Sequence, residues 1–197
     1  MKKLKSTLPN MILSLVAVTG MSGGLLGVMY QLTYEPIRKQ TIADRINAIR
    51  AVAPPFDNDP EANAWEYDGI TVYPAYLHGK LNGAAVKASS MNGFSGEITV
   101  MCGFEKDGTV RDYAVLQQAE TPGLGSKMQE WFRDERGSRS VLGKNPGKES
   151  FYVTKDSDHS GSVDAITAAT ISSRAFLETL RSAYEAYQKF TGEKEKK

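Results

Sequence analysis

The N-terminal part of the chain is dominated by one uninterrupted apolar run. The run carries no charge, and its 22 residues from Met11 to Leu32 are enough for a helix to cross about 30 Å of hydrocarbon. A cleaved signal peptide is the alternative, but its apolar region spans only about 7–15 residues and ends in an A-x-A-like site, which does not follow here. The pattern therefore predicts a retained transmembrane helix over 9–34. The short head over 1–8 contains Lys2, Lys3 and Lys5 and is expected to stay cytoplasmic.

Beyond the run, the apolar positions change to the spacing of an amphipathic helix. Proline suits the first turn of a helix, so Pro36 is expected to begin one. The apolar positions then recur up to a Pro-Pro pair that would stop it. These positions are Ile42, Ile46, Ile49 and Ala53. The sequence thus predicts a stalk helix over 35–55.

The pattern over 56–191 predicts one domain that consists mainly of strands. The expected strands are Ile70–Tyr76, Gly83–Ser89, Glu97–Phe104, Thr109–Gln117 and Phe151–Thr154. Asp107-Gly108 supplies the positive φ that a tight hairpin needs between the third and fourth strands. A short helix is expected from Met128 to Arg133.

One long helix is predicted at the end of the domain. Its apolar stripe consists of Phe176, Leu180, Ala183, Tyr184 and Tyr187. Ser172 or Ser173 offers an N-cap oxygen, and Gly192 is expected to end the helix before a charged tail, 192–197. The expected fold class is therefore α+β: a single N-terminal transmembrane helix, then one domain with an antiparallel sheet and flanking helices.

Composition narrows the function classes. The net charge is +1, and no basic face follows from it, so nucleic acid is not an expected partner. Cys102 is the only cysteine, which excludes an intramolecular disulfide. Because Cys102 lies in an apolar strand pattern, we expect a buried, inert thiol.

The first segment with candidate chemistry directly precedes the last helix. Thr167 and Thr170 flank Ala168-Ala169, and such small side chains allow a bulky group to approach the backbone. The free N–H groups of a helix start favour a phosphate or another anion. The alternative is a Ser/Thr-rich helix cap without a ligand, which these residues alone favour.

The second candidate segment is the glycine-rich loop from Glu120 to Lys127. Pro122-Gly123 suits a type II turn, because proline fixes φ at one position and glycine supplies a positive φ at the next. Glycines also allow a flat ligand to lie against the backbone. An ordinary connecting loop explains the same residues.

Taken together, the two segments resemble the FMN-binding domain of the covalent flavoprotein subunits in Rnf and Na⁺-translocating NADH:quinone oxidoreductase complexes. The closer likeness is to the G subunits of Rnf complexes. The family's attachment motif is matched by Asp164, Thr167, Ala168, Ala169 and Thr170; Thr167-Ala168 departs from the commoner Ser-Gly. Glu120–Gly125 is similar to the loop beside the flavin, and Gly93–Gly96 to another segment of the family.

The resemblance implies a site, a cofactor and partners. A flavin transferase would join FMN through its phosphate to Thr170, and Lys127 would stabilise a reduced, anionic flavin. The other cofactor-binding residues implied are Glu120, Thr121, Gly123, Leu124, Gly125, Asp164, Thr167, Ala168, Ala169 and Ile171. The chain would relay electrons between other membrane subunits of an Rnf-type ferredoxin:NAD⁺ oxidoreductase that drives ion translocation. Its C-terminal domain would lie outside the bacterial cytoplasmic membrane.

Two other functions fit parts of the sequence. A flavin-free, membrane-tethered assembly or binding module would use the Thr170 region only as a helix cap. A free-standing flavoprotein reductase would act on an external substrate, but no G-x-G-x-x-G follows a strand to mark a nicotinamide site.

Several further motifs are interpreted as structural. Asp156–Gly161 imitates the start of a calcium loop, but the twelfth position is Thr167 rather than glutamate, so we expect a polar turn. His78 and His159 share no metal spacing with Cys102 and are expected in turns or on the surface. The aromatic residues Trp65, Tyr67 and Tyr73 are expected in the core rather than on a flavin.

Overall fold

The structure is a computed structural model that describes residues 7–156, 158 and 160–195, with no side chains described at 194 and 195. It divides into two compact units at Asp44/Arg45. Lys2, Lys3 and Lys5, and also His159, lie outside the described residues. Among those described, one helix, α1 (Leu8–Val52), is long and apolar enough to cross a membrane.

Pro36 lies inside α1, so the expectation that it begins a separate helix is wrong. Proline cannot donate a hydrogen bond to the carbonyl of Leu32, but its fixed φ is compatible with a helix. One turn earlier, the Thr33 hydroxyl donates to the Met29 carbonyl at 2.7 Å. The helix continues with one backbone hydrogen bond missing. The boundaries 9–34 and 35–55 stay predictions, since no break in α1 marks them.

The second unit is built on a five-stranded antiparallel sheet in sequential order. Its strands are β1 (Trp65–Tyr67), β2 (Ile70–Leu77), β3 (Lys80–Gly93), β4 (Gly96–Glu105) and β5 (Val110–Gln117). The predicted Asp107-Gly108 hairpin is confirmed, with Gly108 at a φ of 82°. Asp68-Gly69 and His78-Gly79 form two further hairpin turns, with positive φ at all four residues. The α+β fold class is confirmed.

The strand expected at Phe151–Thr154 is wrong. Only Val153 bridges a neighbour, and it pairs in parallel with Val163. The Val163 N–H donates to the Tyr152 carbonyl at 3.1 Å, and the Thr154 N–H donates to the Val163 carbonyl at 2.9 Å. The pairing stops there because the chain bends away on both sides into turns. The apolar run 151–154 contributes buried side chains to the core without extending the sheet.

Helix α3 (Thr170–Glu195) covers one face of the sheet and forms the main core. The short α2 (Met128–Trp131) completes the core at one side of α3. The Phe176 ring stacks on Phe132 at 4.4 Å and meets the Tyr113 ring edge-on at 4.9 Å. The Tyr113 hydroxyl donates to the Met128 carbonyl at 2.7 Å, and burial raises the pKa of Tyr113 above its ordinary range.

Both ends expected for the last helix are corrected. The helix begins at Thr170 rather than after Ser172 or Ser173, because both hydroxyls have other partners. It also continues through Gly192, which does not adopt the positive φ by which glycine commonly ends a helix. The predicted apolar stripe is confirmed and packs against β3 and β4.

The opposite face of the sheet is covered by the C-terminal end of α1. Ile49 and Val52 are buried there with Ala85 and Met101. Gly103 of β4 permits this close packing, because a Cβ at that position would lie 1.9 Å from the Val52 carbonyl oxygen. The last two turns of α1 therefore belong to the domain rather than standing apart from it.

Two smaller expectations are also decided by the packing. Cys102 is buried, as expected, and desolvation raises the pKa of its thiol; that the thiol is inert stays a prediction. Of the three aromatic residues expected in the core, Tyr73 is buried and Trp65 is half-buried, but Tyr67 is exposed, so the expectation is wrong for Tyr67. Trp65 stacks on Tyr67 at 5.7 Å on the α3 face, whereas Tyr73 is buried on the α1 face. Trp65 pairs with Val72 across the sheet, so Tyr73, the next residue along β2, points to the opposite face.

Candidate functional site

The segment before α3 is held in place by Asp164. Its Oδ2 accepts from the Ser138 N–H at 3.0 Å, and its Oδ1 accepts from the Thr154 hydroxyl at 3.1 Å. Its carbonyl accepts from the Trp131 indole N–H at 2.9 Å. Asp164 lies outside the cavity described below, so within the described contacts it anchors the segment that leads to Thr170.

Ser173 closes the turn between that segment and α3. Its Oγ accepts from the Ile166 N–H and donates to the Ala169 carbonyl, each at 2.9 Å. The Ala169 N–H donates to the Ile166 carbonyl at 3.0 Å. Between these bonds, Ala168 has a φ of 62°, a conformation that glycine adopts more readily. The backbone thus turns sharply just before Thr170.

The first turn of α3 presents free hydrogen-bond donors. The backbone N–H groups of Thr170, Ile171 and Ser172 donate to no described residue, whereas the Ser173 N–H donates to the Ala169 carbonyl at 3.0 Å. The initial N–H groups of any helix lack partners within the helix. Together with the helix dipole they favour negative charge at this end. The structure therefore agrees with an anion site at Thr170.

A cavity of about 350 Å³ joins this helix start to two other segments. One is the Glu120–Gly125 loop, and the other is the turn between β3 and β4, from which Phe94 projects. The lining residues are Phe94, Glu120, Thr121, Leu124, Gly125, Ala168, Ala169, Thr170, Ile171 and Ser172. This volume lies in the range of small-molecule sites.

Eight of the twelve residues predicted for the site lie in that lining. Of the other four, Gly123 lies in the Pro122-Gly123 turn and has a φ of 78°. The Leu124 N–H donates to the Thr121 carbonyl across this turn at 3.1 Å, so the predicted turn is confirmed. Lys127 and Thr167 are exposed and do not line the cavity, and Asp164 anchors the preceding segment. The structure therefore gathers both predicted segments around one cavity but leaves Lys127 outside it.

Phe94 and Ser172 line the cavity but were not among the predicted site residues. Phe94 is 67% exposed, although it is a large aromatic residue. The available signal was an aromatic residue between Gly93 and Gly96, in a turn where an exposed ring has no packing role. Ser172 gave no such signal, because a serine beside a helix start is read as a cap.

The walls of the cavity are apolar and partly open. Phe94, Leu124 and Ile171 each expose between 38% and 67% of their surface. Exposed apolar groups clustered at one place mark a binding surface more often than scattered ones do. The site thus combines donors suited to an anion at one side with apolar walls suited to a flat ring at the other.

Other candidate chemistry is weak in the described residues. No group of three or more His, Cys, Asp or Glu side chains could hold a metal there. Asp156 of the calcium-like stretch accepts from the Arg174 guanidinium at 2.5 and 2.9 Å. His78 is exposed in its hairpin turn, as expected.

Comparison with known proteins agrees with this geometry. A family model described as the FMN-binding domain matches residues 93–185, which include all three segments around the cavity. The part of the second unit from residue 93 to residue 185 is therefore similar to domains of the FMN-binding class.

The relatives extend the match to most of the chain. The chain is 31% identical over 179 residues to the G subunit of the ion-translocating oxidoreductase complex of Vibrio atlanticus (strain LGP32), covering 83% of this chain and 82% of the relative. It is 29% identical over 193 residues to the corresponding G subunit of Aliivibrio fischeri (strain MJ11), covering 91% and 89%. The G subunit of the Na⁺-translocating ferredoxin:NAD⁺ oxidoreductase complex of Acetobacterium woodii is 31% identical over 121 residues, covering 60% and 56%. The chain belongs to the family of G subunits of ion-translocating oxidoreductase complexes.

Proposed function

We propose that this protein is a membrane-anchored electron-transfer subunit that carries FMN joined by a phosphoester to Thr170. It relays electrons within an Rnf-type ferredoxin:NAD⁺ oxidoreductase that drives ion translocation. The relatives named as complex subunits and the match to the FMN-binding domain support this function. The observation that carries it is the placing of Thr170 and its free N–H donors in the cavity that both predicted segments line.

Thr170 is suited to attachment by its position in the first turn of α3. Its side chain lines the cavity and is partly exposed, so a modifying enzyme can reach the hydroxyl. The free N–H groups of the same turn stabilise phosphate oxygens near it. A flavin transferase would supply FMN whose phosphate already carries a leaving group. The Oγ–P bond then forms, the bond to the leaving group breaks, and the hydroxyl proton passes to a base.

The apolar walls orient the rest of the cofactor. Phe94, Leu124 and Ile171 offer faces against which a flat ring can pack, while their partial exposure leaves an edge open toward a partner. A bound flavin supplies one- and two-electron chemistry, which the protein tunes by orientation and electrostatics. In the described cavity these side chains bind, orient and exclude water.

Lys127 has a separate, weaker role in the proposal. Its side chain is exposed and lies outside the cavity lining, so any attraction to a reduced flavin is screened by solvent. Potentiometry of flavin-loaded Lys127→Ala checks it. A lower midpoint potential supports the role, whereas an unchanged one rules it out.

The attachment is tested by in-gel fluorescence of the full chain, made in cells that supply a flavin transferase. The wild-type band is expected to fluoresce under ultraviolet light after denaturation, and Thr170→Ala is expected to lose all of that signal. Thr121→Ala is the matched control, because it removes another hydroxyl from the same cavity and should keep the label. A wild-type chain from its native host without covalent flavin would contradict the proposal and favour the flavin-free assembly module.

The partners and the side of the membrane form the other part of the proposal. α1 holds the protein in the bacterial cytoplasmic membrane, the domain lies on the extracytoplasmic side, and other membrane subunits contact both. Because Cys102 is buried, a single exposed cysteine at Asn63 can report the side. A membrane-impermeant maleimide added to intact cells should label Asn63→Cys and not the wild type. Labelling only after lysis would reverse the orientation, and a chain that purifies alone would favour the free-standing reductase.

A further inference from the structure

The cavity contains a carboxylate, that of Glu120, whose oxygens are hydrogen-bonded within the protein. Glu120 is only 5% exposed although its side chain lines the cavity. Its Oε2 accepts from the Ser172 hydroxyl at 2.6 Å, and its Oε1 accepts from the Ser95 N–H at 3.1 Å. Both oxygens therefore have protein donors, which leaves the carboxylate poorly placed to bind a ligand directly.

These two bonds connect the three segments that enclose the cavity. Ser95 belongs to the turn between β3 and β4 that carries Phe94, and Ser172 belongs to the first turn of α3 beside Thr170. Glu120 itself begins the third segment, and its own N–H donates to Gln118 Oε1 at 2.6 Å. One side chain thus fixes the spacing between the apolar wall and the attachment residue.

Two glycines make room for this carboxylate. A Cβ at Gly93 would lie 2.8 Å from Glu120 Oε1, and a Cβ at Gly125 would lie 2.7 Å from Oε2. The Cβ added at Gly125 would also lie 2.6 Å from the Ser172 Oγ. The backbone at the end of β3 and the backbone of Glu120's own loop therefore both pack directly against the carboxylate.

We propose that Glu120 is a positioning residue for the covalent modification of Thr170: by binding Ser172 and Ser95 it holds the first turn of α3 in the orientation that presents the Thr170 hydroxyl. This rests on the proposed attachment of FMN at Thr170. The buried charge-assisted hydrogen bonds are stronger than neutral ones, so losing them frees the turn. Glutamine keeps the shape and one acceptor oxygen, and its amide can donate to the Ser172 oxygen.

The experiment compares four full-length chains for their rate of flavin incorporation by a transferase. A small displacement of a reacting group slows a reaction strongly. Glu120→Ala and Ser172→Ala should therefore each lower the rate of flavin incorporation by roughly ten-fold or more. Glu120→Gln should restore the rate to within about three-fold of wild type, since it can remake the contacts. Wild-type rates in Glu120→Ala would overturn the proposal.

A matched control separates positioning from general loss of stability. Glu178 also ties α3 to the sheet, accepting from the Ser90 hydroxyl at 2.7 Å, but it lies outside the cavity. Glu178→Ala should therefore lower the melting temperature without slowing incorporation. If Glu178→Ala slows incorporation as much as Glu120→Ala does, the specific role is overturned.

A second measurement does not depend on the flavin. Hydrogen exchange of the unmodified chain reports whether the turn is held, through the Ser173 N–H that donates to the Ala169 carbonyl. This amide should exchange roughly ten-fold faster in Glu120→Ala, whereas that of Leu180, in mid-helix, should not change. Unchanged exchange at Ser173 would overturn the positioning role. A wild-type chain with a protected Ser173 amide but no flavin on Thr170 would instead overturn the proposed function.

Discussion

Two hollows flank the first turns of α3: the cavity at Thr170 described above and a larger one beside it. Ile171 lines both of them. The larger, about 630 Å³, is lined mostly by charged and polar side chains, among them Arg174, Arg181 and Glu178. The smaller, about 350 Å³, has apolar walls and the start of the helix. Size alone would select the larger hollow, but both predicted segments and Thr170 lie at the smaller.

The charges of the larger hollow are largely satisfied within the protein. Arg174 pairs with Asp156 at 2.5 Å, and Glu178 accepts from Ser90 and Asn92 at 2.7 and 2.9 Å. Arg181 donates to the Phe151 carbonyl at 2.5 Å. In the smaller hollow the donors of the helix start remain free. A ligand therefore gains more where donors lack partners than where they must first be released.

The largest effect is expected from adding a methyl group to the wall of the smaller hollow at Gly125. Gly125→Ala places a methyl group within 2.6–2.9 Å of Ser172 and Glu120, and such overpacking typically costs about 1–3 kcal/mol of unfolding free energy. Flavin incorporation should fall with it. Thermal melts and in-gel fluorescence measure both effects. Gly192→Ala is the control, since nothing lies within 4 Å of its added Cβ; an equally stable Gly125→Ala chain would mean the walls are not close-packed.

A smaller effect should distinguish the two hollows as binding sites. In a Thr170→Ala chain, where FMN can bind only reversibly, Leu124→Ala should weaken binding roughly five- to ten-fold, because about 1 kcal/mol of apolar contact is lost. Quenching of flavin fluorescence during titration gives the dissociation constant. Lys155→Ala, which alters the larger hollow, should leave it unchanged. The reverse pattern would place the flavin in the larger hollow.

Arg174 gives a still smaller test of the same comparison. Its guanidinium is 52% exposed and pairs with Asp156, and its hydrogen bonds to this carboxylate raise the pKa of Arg174. An exposed pair typically contributes about 0.2–1 kcal/mol, so Arg174→Ala should shift the melting temperature slightly, and less in high salt. Flavin incorporation should not change. A loss of incorporation would show that the phosphate draws on the larger hollow's charge.

The smallest expected effect is a gain. Ala168 has a φ of 62°, which costs alanine roughly 1–2 kcal/mol, while glycine loses about 0.4–1 kcal/mol more entropy on folding. Ala168→Gly should therefore raise the unfolding free energy by about 0.5 kcal/mol, as denaturant titration would show. Ala169→Gly, its neighbour without a positive φ, should lower stability instead. A destabilised Ala168→Gly chain would mean that the methyl group packs favourably.

Features that depend on a few neighbouring residues could be predicted from the sequence. The Asp107-Gly108 hairpin, the Pro122-Gly123 turn and the apolar stripe of α3 follow from local backbone preferences and periodicity. The length of the apolar run likewise determined the membrane-spanning candidate. The family motif around Thr170 was visible because its residues are consecutive, although the bond to FMN itself stays a proposal.

Local patterns failed where a residue's partner is distant in the chain. Ser172 and Ser173 read as caps, yet Ser172 binds Glu120, 52 residues away, and Ser173 closes the preceding turn. Phe151–Thr154 has the composition of a strand but finds only one partner residue. No sequence window contains these contacts, so propensity alone could not choose among the alternatives.

The sequence by itself determined the α+β class, the helix apolar enough to cross a membrane and the residues able to carry chemistry, because turn geometry and periodicity act over a few residues. Only the tertiary structure decided that Phe94, Glu120 and Thr170 meet around one cavity, while Lys127 stays outside it. Chain folding brings those segments together through packing of α3 on the sheet. Their relative positions depend on contacts between residues far apart in sequence. The sequence could therefore identify the segments of the site but not the distances between them.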